Sequence, residues 1–254
     1  MDGRPVVMVG AALAVLLARI AAAGGGDGGV AGPRAQGVPA ASTLTLTLPF
    51  DGVWGVVQGF DSGDTHRGYA AFALDFAPPQ DVGQFARLAH PRLTDFACYG
   101  RPVLAPADGT VVRIATTFPD LPPYARAGKK AGGGNFVIIQ HAPAIFSELV
   151  HLKAGSVRVV VGEAVRRGQP VAACGNSGNA RTPHLHLGLL TSITPITTGR
   201  MKLSGYQVRG ADGRWTAGDG EPKEGQWLRP AAPAPPAPDA SLPEGSPPPH
   251  SSGR

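Results

Sequence analysis

Short runs of alternating or continuous apolar residues recur along the middle of the chain. TLTLTLPF (43–50), GVWGVVQGF (52–60), FALDFA (72–77), GTVVRIAT (109–116), NFVIIQH (135–141) and FSELVHL (146–152) are rich in β-branched or aromatic residues. Gly, Pro, Asp and Asn bound them, so they read as strands. SVRVVVGEAVRRGQPVAACG (156–175) adds two more, with turns at Gly162 and Gly168. YQVRGADGRW (206–215) predicts a hairpin about Asp212-Gly213. The body sustains no helical period and holds no internal repeat. This spacing predicts an all-β fold, an antiparallel β-sandwich or open barrel.

The pattern fails at both ends. Residues 24–42 and 229–254 are Gly- and Pro-rich and carry too little apolar surface to order themselves. They read as a flexible leader and a Pro-rich tail, leaving residues 43–228 as one domain. Ahead of the leader, Arg4 precedes an apolar run from Val6 to Ala18, and Ala21-Ala22-Ala23 follows. The run suits a signal peptide over 1–23 and is too short to span a bilayer. The expectation is an exported protein in the periplasm, cell envelope or extracellular space, without a stable membrane span after cleavage. A net charge of +5 draws an exported protein toward anionic wall polymers or lipid surfaces. No Lys/Arg stripe interleaves with aromatics, which excludes nucleic acid as a partner. Cys98 and Cys174 permit one disulfide or two thiols, and sequence leaves both open.

Several polar residues break the apolar runs. In RTPHLHLGLL (181–190), Pro183 suits a strand start. Residues i and i+2 of a strand share a face about 6.6–7 Å apart, so His184 and His186 lean one way and Leu185 the other. Such a pair alone also fits two half-buried histidines with ordinary hydrogen bonds. Asp75 interrupts FALDFA, where an uncompensated carboxylate costs several kcal/mol. His151 ends another apolar strand, and His66 lies upstream in DTHRGY. Together His66, Asp75 and His186 supply two neutral nitrogens and one anionic oxygen. That is the donor set of a catalytic zinc site with a fourth position for water. His151 and His184 would stand near the metal but not on it. His141 reads as bonded to backbone, His90 as a surface residue and His250 as part of the tail.

HRGYAAFALDF, YGRPVLAPADGTVV, GGNFVIIQH and LVHLKAGSVRVVVGEAVRRGQPVAACGNSGNARTPHLHL together resemble the lysostaphin-type, or duplicated-hybrid-motif, zinc metallopeptidases. The resemblance runs from about Phe60 to Leu189, in the family's order. It implies a β-sandwich with a groove, one zinc ion per chain, and a peptide substrate, mostly the cross-links or stems of bacterial peptidoglycan. It assigns His66, Asp75 and His186 to the metal and His151 and His184 to catalysis. The Gly175–Asn179 turn is then structural, aiming His184 and His186.

The chain departs from that pattern in three places. Eight residues separate His66 from Asp75 where the common motif has three, which resembles a divergent branch. Leu149 stands where a tyrosine is frequent. Residues 80–99, holding His90, Asp95 and Cys98, read as an insertion that walls the groove, changes specificity or decorates an edge. Two functions follow: a secreted zinc endopeptidase acting on peptidoglycan, or a non-catalytic envelope protein that binds wall peptides or regulates another hydrolase. An enzyme of the same chemistry acting on protein is a third.

Overall fold

The computed structural model describes residues 45–63, 65–82, 90–125 and 132–231. The segments expected to form a signal peptide, a leader and most of the tail, residues 1–42 and 232–254, lie outside the described residues. Thirteen strands fall within them: β1 Trp54–Gln58, β2 Leu74–Ala77, β3 Pro102–Leu104, β4 Gly109–Ala115, β5 Asn135–Ala142, β6 Ile145–Leu152, β7 Ala164–Val165, β8 Pro170–Ala173, β9 Leu185–Ile193, β10 Ile196–Thr198, β11 Leu203–Arg209, β12 Trp215–Gly220 and β13 Trp227–Pro230.

One large sheet runs β12-β11-β13-β1-β2-β9-β6-β5-β4-β7, with β10 on β9, and a second sheet pairs β3 with β8. The ladders are antiparallel. The two ends of the large sheet do not pair with each other, so it stays open. Alternation sorts its faces. Leu74 and Phe76 of β2, Val137 and Ile139 of β5, Leu149 of β6 and Leu185 and Leu187 of β9 join one core cluster with Val103 and Val171 from the small sheet. Each such side chain, fully buried, contributes roughly 1.5–3 kcal/mol. The opposite face of the large sheet carries Asp75 and His186, which stand directly opposite in the β2–β9 register. Leu149 is fully buried in the core, so its departure from tyrosine falls outside the site.

Two boundaries differ from expectation. TLTLTLPF alternates as predicted, and Leu46, Leu48 and Phe50 are buried. It forms only an isolated bridge from Leu46 to Leu203, because Pro49 has no N–H for a ladder and Thr47 donates to the Pro106 carbonyl instead. Arg229 and Pro230, assigned by composition to the tail, complete β13 and pair with Gln207 and Tyr206. Arg229 also stacks over Trp215 at 4.4 Å.

Cys98 and Cys174 form a disulfide with Cα atoms 5.8 Å apart and a sequence separation of 76. It ties the end of the 80–99 segment to the strand ahead of the Gly175–Asn179 turn. Closing a loop of that length stabilises by about 4 kcal/mol in the chain-entropy model. Replacing both cysteines by serine should lower Tm by roughly 10 °C in calorimetry. An unchanged Tm would show that the bond adds nothing to stability.

Candidate functional site

Five side chains converge on the exposed face of the large sheet. Asp75 is 6% exposed and His66 1%. Asp75 Oδ1 lies 2.8 Å from His186 Nδ1 and 3.1 Å from His66 Nε2, while Asp75 Oδ2 lies 3.5 Å from His184 Nε2. The His151 ring stands 4.7 Å from that of His184 and 5.8 Å from that of His186, centroid to centroid. All five residues predicted from sequence are therefore brought together.

Backbone carbonyls set the tautomers. A carbonyl only accepts, so a ring nitrogen facing one carries the proton. His66 Nδ1–H donates to Gly59 O at 2.6 Å, His151 Nδ1–H to Ser177 O at 2.9 Å, and His184 Nδ1–H to Thr182 O at 2.7 Å. In each neutral ring Nε2 is left bare. At His66 that bare nitrogen is buried, lacks any hydrogen-bond partner and faces a carboxylate oxygen. Two lone pairs so placed repel unless a cation lies between them. Ligand atoms of His66, Asp75 and His186 all lie within 4.8 Å of one another. Zinc–ligand bonds of about 2.0–2.2 Å place tetrahedral neighbours roughly 3.3 Å apart. The separations of 2.8 and 3.1 Å come within about half an ångström of that. The donor set and the orphaned nitrogen fit a divalent metal.

Charges shift accordingly. Burial opposes ionisation of Asp75, yet the imidazoles of His184, His186 and His66 hold its carboxyl well below the usual range. Burial also lowers His66, but Asp75, the Gly59 carbonyl and Glu224 outweigh it and raise the ring. His151 moves the other way: burial, with His184 and His186 beside it, pushes it down to about 3. It stays neutral.

Backbone geometry explains how His151 arrives. Alternation from Leu149 would send it into the core. The β5–β6 register slips between Asn135 and Phe136, and His151 sits in the left-handed region at φ 61°. A bulge of this kind re-aims a side chain at a sheet's edge or beside a site. It turns His151 onto the face of His186. Strained backbone persists only where its surroundings over-determine it. Here Asn135 supplies that frame: its backbone N–H donates to Ser177 Oγ, its side-chain amide to the carbonyls of Phe118 and Leu152. Asp120 anchors the same turn through the N–H of Asn176. The Gly175–Asn179 turn thus also aims His151, through the Ser177 carbonyl. Gly134 and Gly178 make this possible, since a Cβ on either would overlap the other's backbone.

The long His66–Asp75 connection is built, not slack. It contains a 3-10 turn at Gly68–Ala70. Phe60 and Phe72 meet edge-on at its base, under the Arg200 guanidinium, which Glu221 holds in turn. Glu224 accepts the Gly59 N–H at 3.1 Å, so the residue whose carbonyl accepts the His66 Nδ1–H is itself fixed. Sequence reasoning placed Ser177 in the aiming turn but missed its partner Asn135, and it missed Asp120 and Glu224. The first two lie in quoted motifs, but nothing in EPKEG signals a buttress.

Of the other histidines, His141 bonds to Asp108 O and Ser147 Oγ. His90 is exposed and joins no metal-ligating group among the described residues. The 80–99 segment reaches the site through Asp81 and Val82, which line a groove of about 1090 Å³ shared with Asp75, His151, His184 and His186. Its residues 83–89 lie outside the described set.

Residues 90–198 match the model of Peptidase family M23. That segment is similar to the M23 peptidases. It includes His151, His184 and His186, whereas His66 and Asp75 precede it. A peptidoglycan DD-endopeptidase of Vibrio cholerae, ShyA, is 35% identical over 111 residues, 43% of this chain and 22% of that protein. A second from the same organism, ShyB, is 28% identical over 140 residues, 55% of this chain and 29% of that one. The chain thus spans less than a third of the length of these relatives. Among solved structures, the catalytic domain of lysostaphin from Staphylococcus simulans is 18% identical, with 57% of this chain and 86% of that one covered and a TM-score of 0.34.

The raised His66 sets a pH dependence. A proton on Nε2 competes with a metal there, and a raised ring begins to compete above pH 6.5. Zinc affinity, measured by equilibrium dialysis, should fall by at least about tenfold per unit as pH drops from 6.5 to 5. A flat profile would show that His66 is not a ligand.

Proposed function

We propose that the chain is an exported zinc metallo-endopeptidase that hydrolyses peptide bonds in bacterial peptidoglycan. The convergence of His66, Asp75 and His186 beside two further imidazoles with bare Nε2 atoms carries this reading. His66 Nε2, Asp75 Oδ1 and His186 Nδ1 would hold the zinc. When bound, zinc lowers the pKa of its water toward 7 and polarises a carbonyl. The named activity of the Vibrio relatives supports peptidoglycan as the substrate.

The remaining chemistry belongs to the chain's own groups. His184 Nε2 faces the site with its Nδ1–H tied to Thr182 O, so it can take a proton at Nε2 and hold it beside Asp75. His151, kept neutral by burial, accepts a hydrogen bond at Nε2 and orients the attacking water. A positioned base or acid of this kind contributes about 10²–10⁴ in rate. The groove receives an extended peptide across β2, β9 and β6. Export is supported by the Cys98–Cys174 disulfide, a bond that persists in oxidising compartments. Among the described residues no helix is long and apolar enough to cross a membrane.

Metal content and release of peptides from purified peptidoglycan, measured on the same samples, test the proposal. The native protein should bind one zinc and release peptides. His66→Ala, Asp75→Ala and His186→Ala should lose both. His151→Ala and His184→Ala should keep zinc while turnover falls by about 10²–10⁴. Bound zinc without cleavage of any wall preparation would make the protein a binder or regulator. Full activity in His184→Ala would remove that residue from the mechanism.

A further inference from the structure

One charged group in the groove is left unused by this chemistry. Glu148 lines the groove with Phe136 and Val150, on the same sheet face as His186. It stands opposite Gly188 in the β6–β9 register, while Val150 stands opposite His186. Glu148 and His186 are therefore diagonal neighbours, which lie about 7–8 Å apart. That is too far to touch reacting atoms held at His186, yet within one or two residues of them along an extended peptide.

The Glu148 carboxylate makes no hydrogen bond and no salt bridge among the described residues. Its surroundings are apolar: Phe136 and Val150 beside it, and the small cluster of Ile138, Phe146 and Leu190 on the same face. Burial raises its carboxyl, with His186 and Arg113 only partly offsetting this. Gly188 opens the space above it, since a Cβ there would stand 3.5 Å from Glu148 Oε2. A half-buried carboxylate with no hydrogen bond or ion pair among the described residues, beside a residue with no side chain, leaves room for a ligand's cation. An alkyl ammonium suits both parts of this surface. Its stem packs on Phe136 and Val150, and its head takes a charge-assisted hydrogen bond.

We propose that Glu148 is a specificity residue that binds a primary ammonium carried by the substrate peptide close to the scissile bond. This rests on the peptidase reading and narrows its substrate class to peptides bearing a free side-chain amine. No proton or bond is exchanged at Glu148.

The test uses two stem peptides that differ only in whether one side-chain amine is free or N-acetylated. Binding to the zinc-loaded full chain is measured by fluorescence anisotropy, and turnover is measured on the cross-linked form of each. The native protein should bind the free amine about tenfold or more tightly. Glu148→Gln, an isosteric change, should bind both peptides alike, at the level of the acetylated one, with zinc content and Tm unchanged. Equal affinity of the native protein for both peptides would overturn the proposal, as would a preference that survives in Glu148→Gln. The binding comparison is decisive with or without cleavage. Absence of turnover with zinc bound would instead count against the peptidase reading.

Discussion

A single buried carboxylate organises this site. Asp75 sits between Leu74 and Phe76, both fully buried, on a strand whose apolar residues leave it no choice of face. An anion so placed is costly unless cations or donors surround it. His186 faces it across the β2–β9 ladder, His66 reaches it from a loop, and His184 approaches its second oxygen. His66 and His184 are each oriented by a backbone carbonyl, and the β2–β9 register places His186, so the convergence is imposed by the fold. A bare nitrogen facing a carboxylate oxygen is tolerable only with a proton or a metal between them. The same arrangement that makes Asp75 acidic makes His66 basic.

Most of the fold was legible because period-2 alternation is a direct record of which face is buried. It placed Leu185 and Leu187 in the core and His186 and Asp75 opposite. It failed where backbone conformation overrides alternation. His151 follows Val150 in a strand pattern, yet the bulge and left-handed backbone at His151 reverse its direction. Its position at the end of an apolar strand put it near the metal and the resemblance gave it a catalytic role, yet strict alternation from Leu149 would have sent it into the core. TLTLTLPF shows the converse, an accurate burial pattern without a ladder. Alternation reports burial, and pairing depends on available N–H groups such as the one Pro49 lacks.

The polar frame behind the site was not legible because its members act through backbone groups. Ser177 holds His151 with its carbonyl, an atom every residue possesses. Glu224 acts on the Gly59 peptide from 165 residues away. Such contacts leave no composition or spacing signature, since the chemistry lies in the chain's path.

The same distinction explains how an eight-residue gap between His66 and Asp75 is compatible with the site. The β2–β9 register determines where Asp75 and His186 meet, independently of the loop. His66 needs only to bring one nitrogen to a fixed oxygen, and lengthening a loop costs little, about 0.6 kcal/mol per doubling. What must be supplied is rigidity at the loop's ends. Phe60, Phe72 and Arg200 supply it at the base, and Glu224 through Gly59 at the ring itself. Arg200 and Glu224 lie beyond the segment that matches the family, and so do His66 and Asp75 on the other side. The flanking elements therefore complete the site from both sides. A domain cut to residues 90–198 would retain three of the five imidazole and carboxylate groups and lose the buried anion on which their geometry depends.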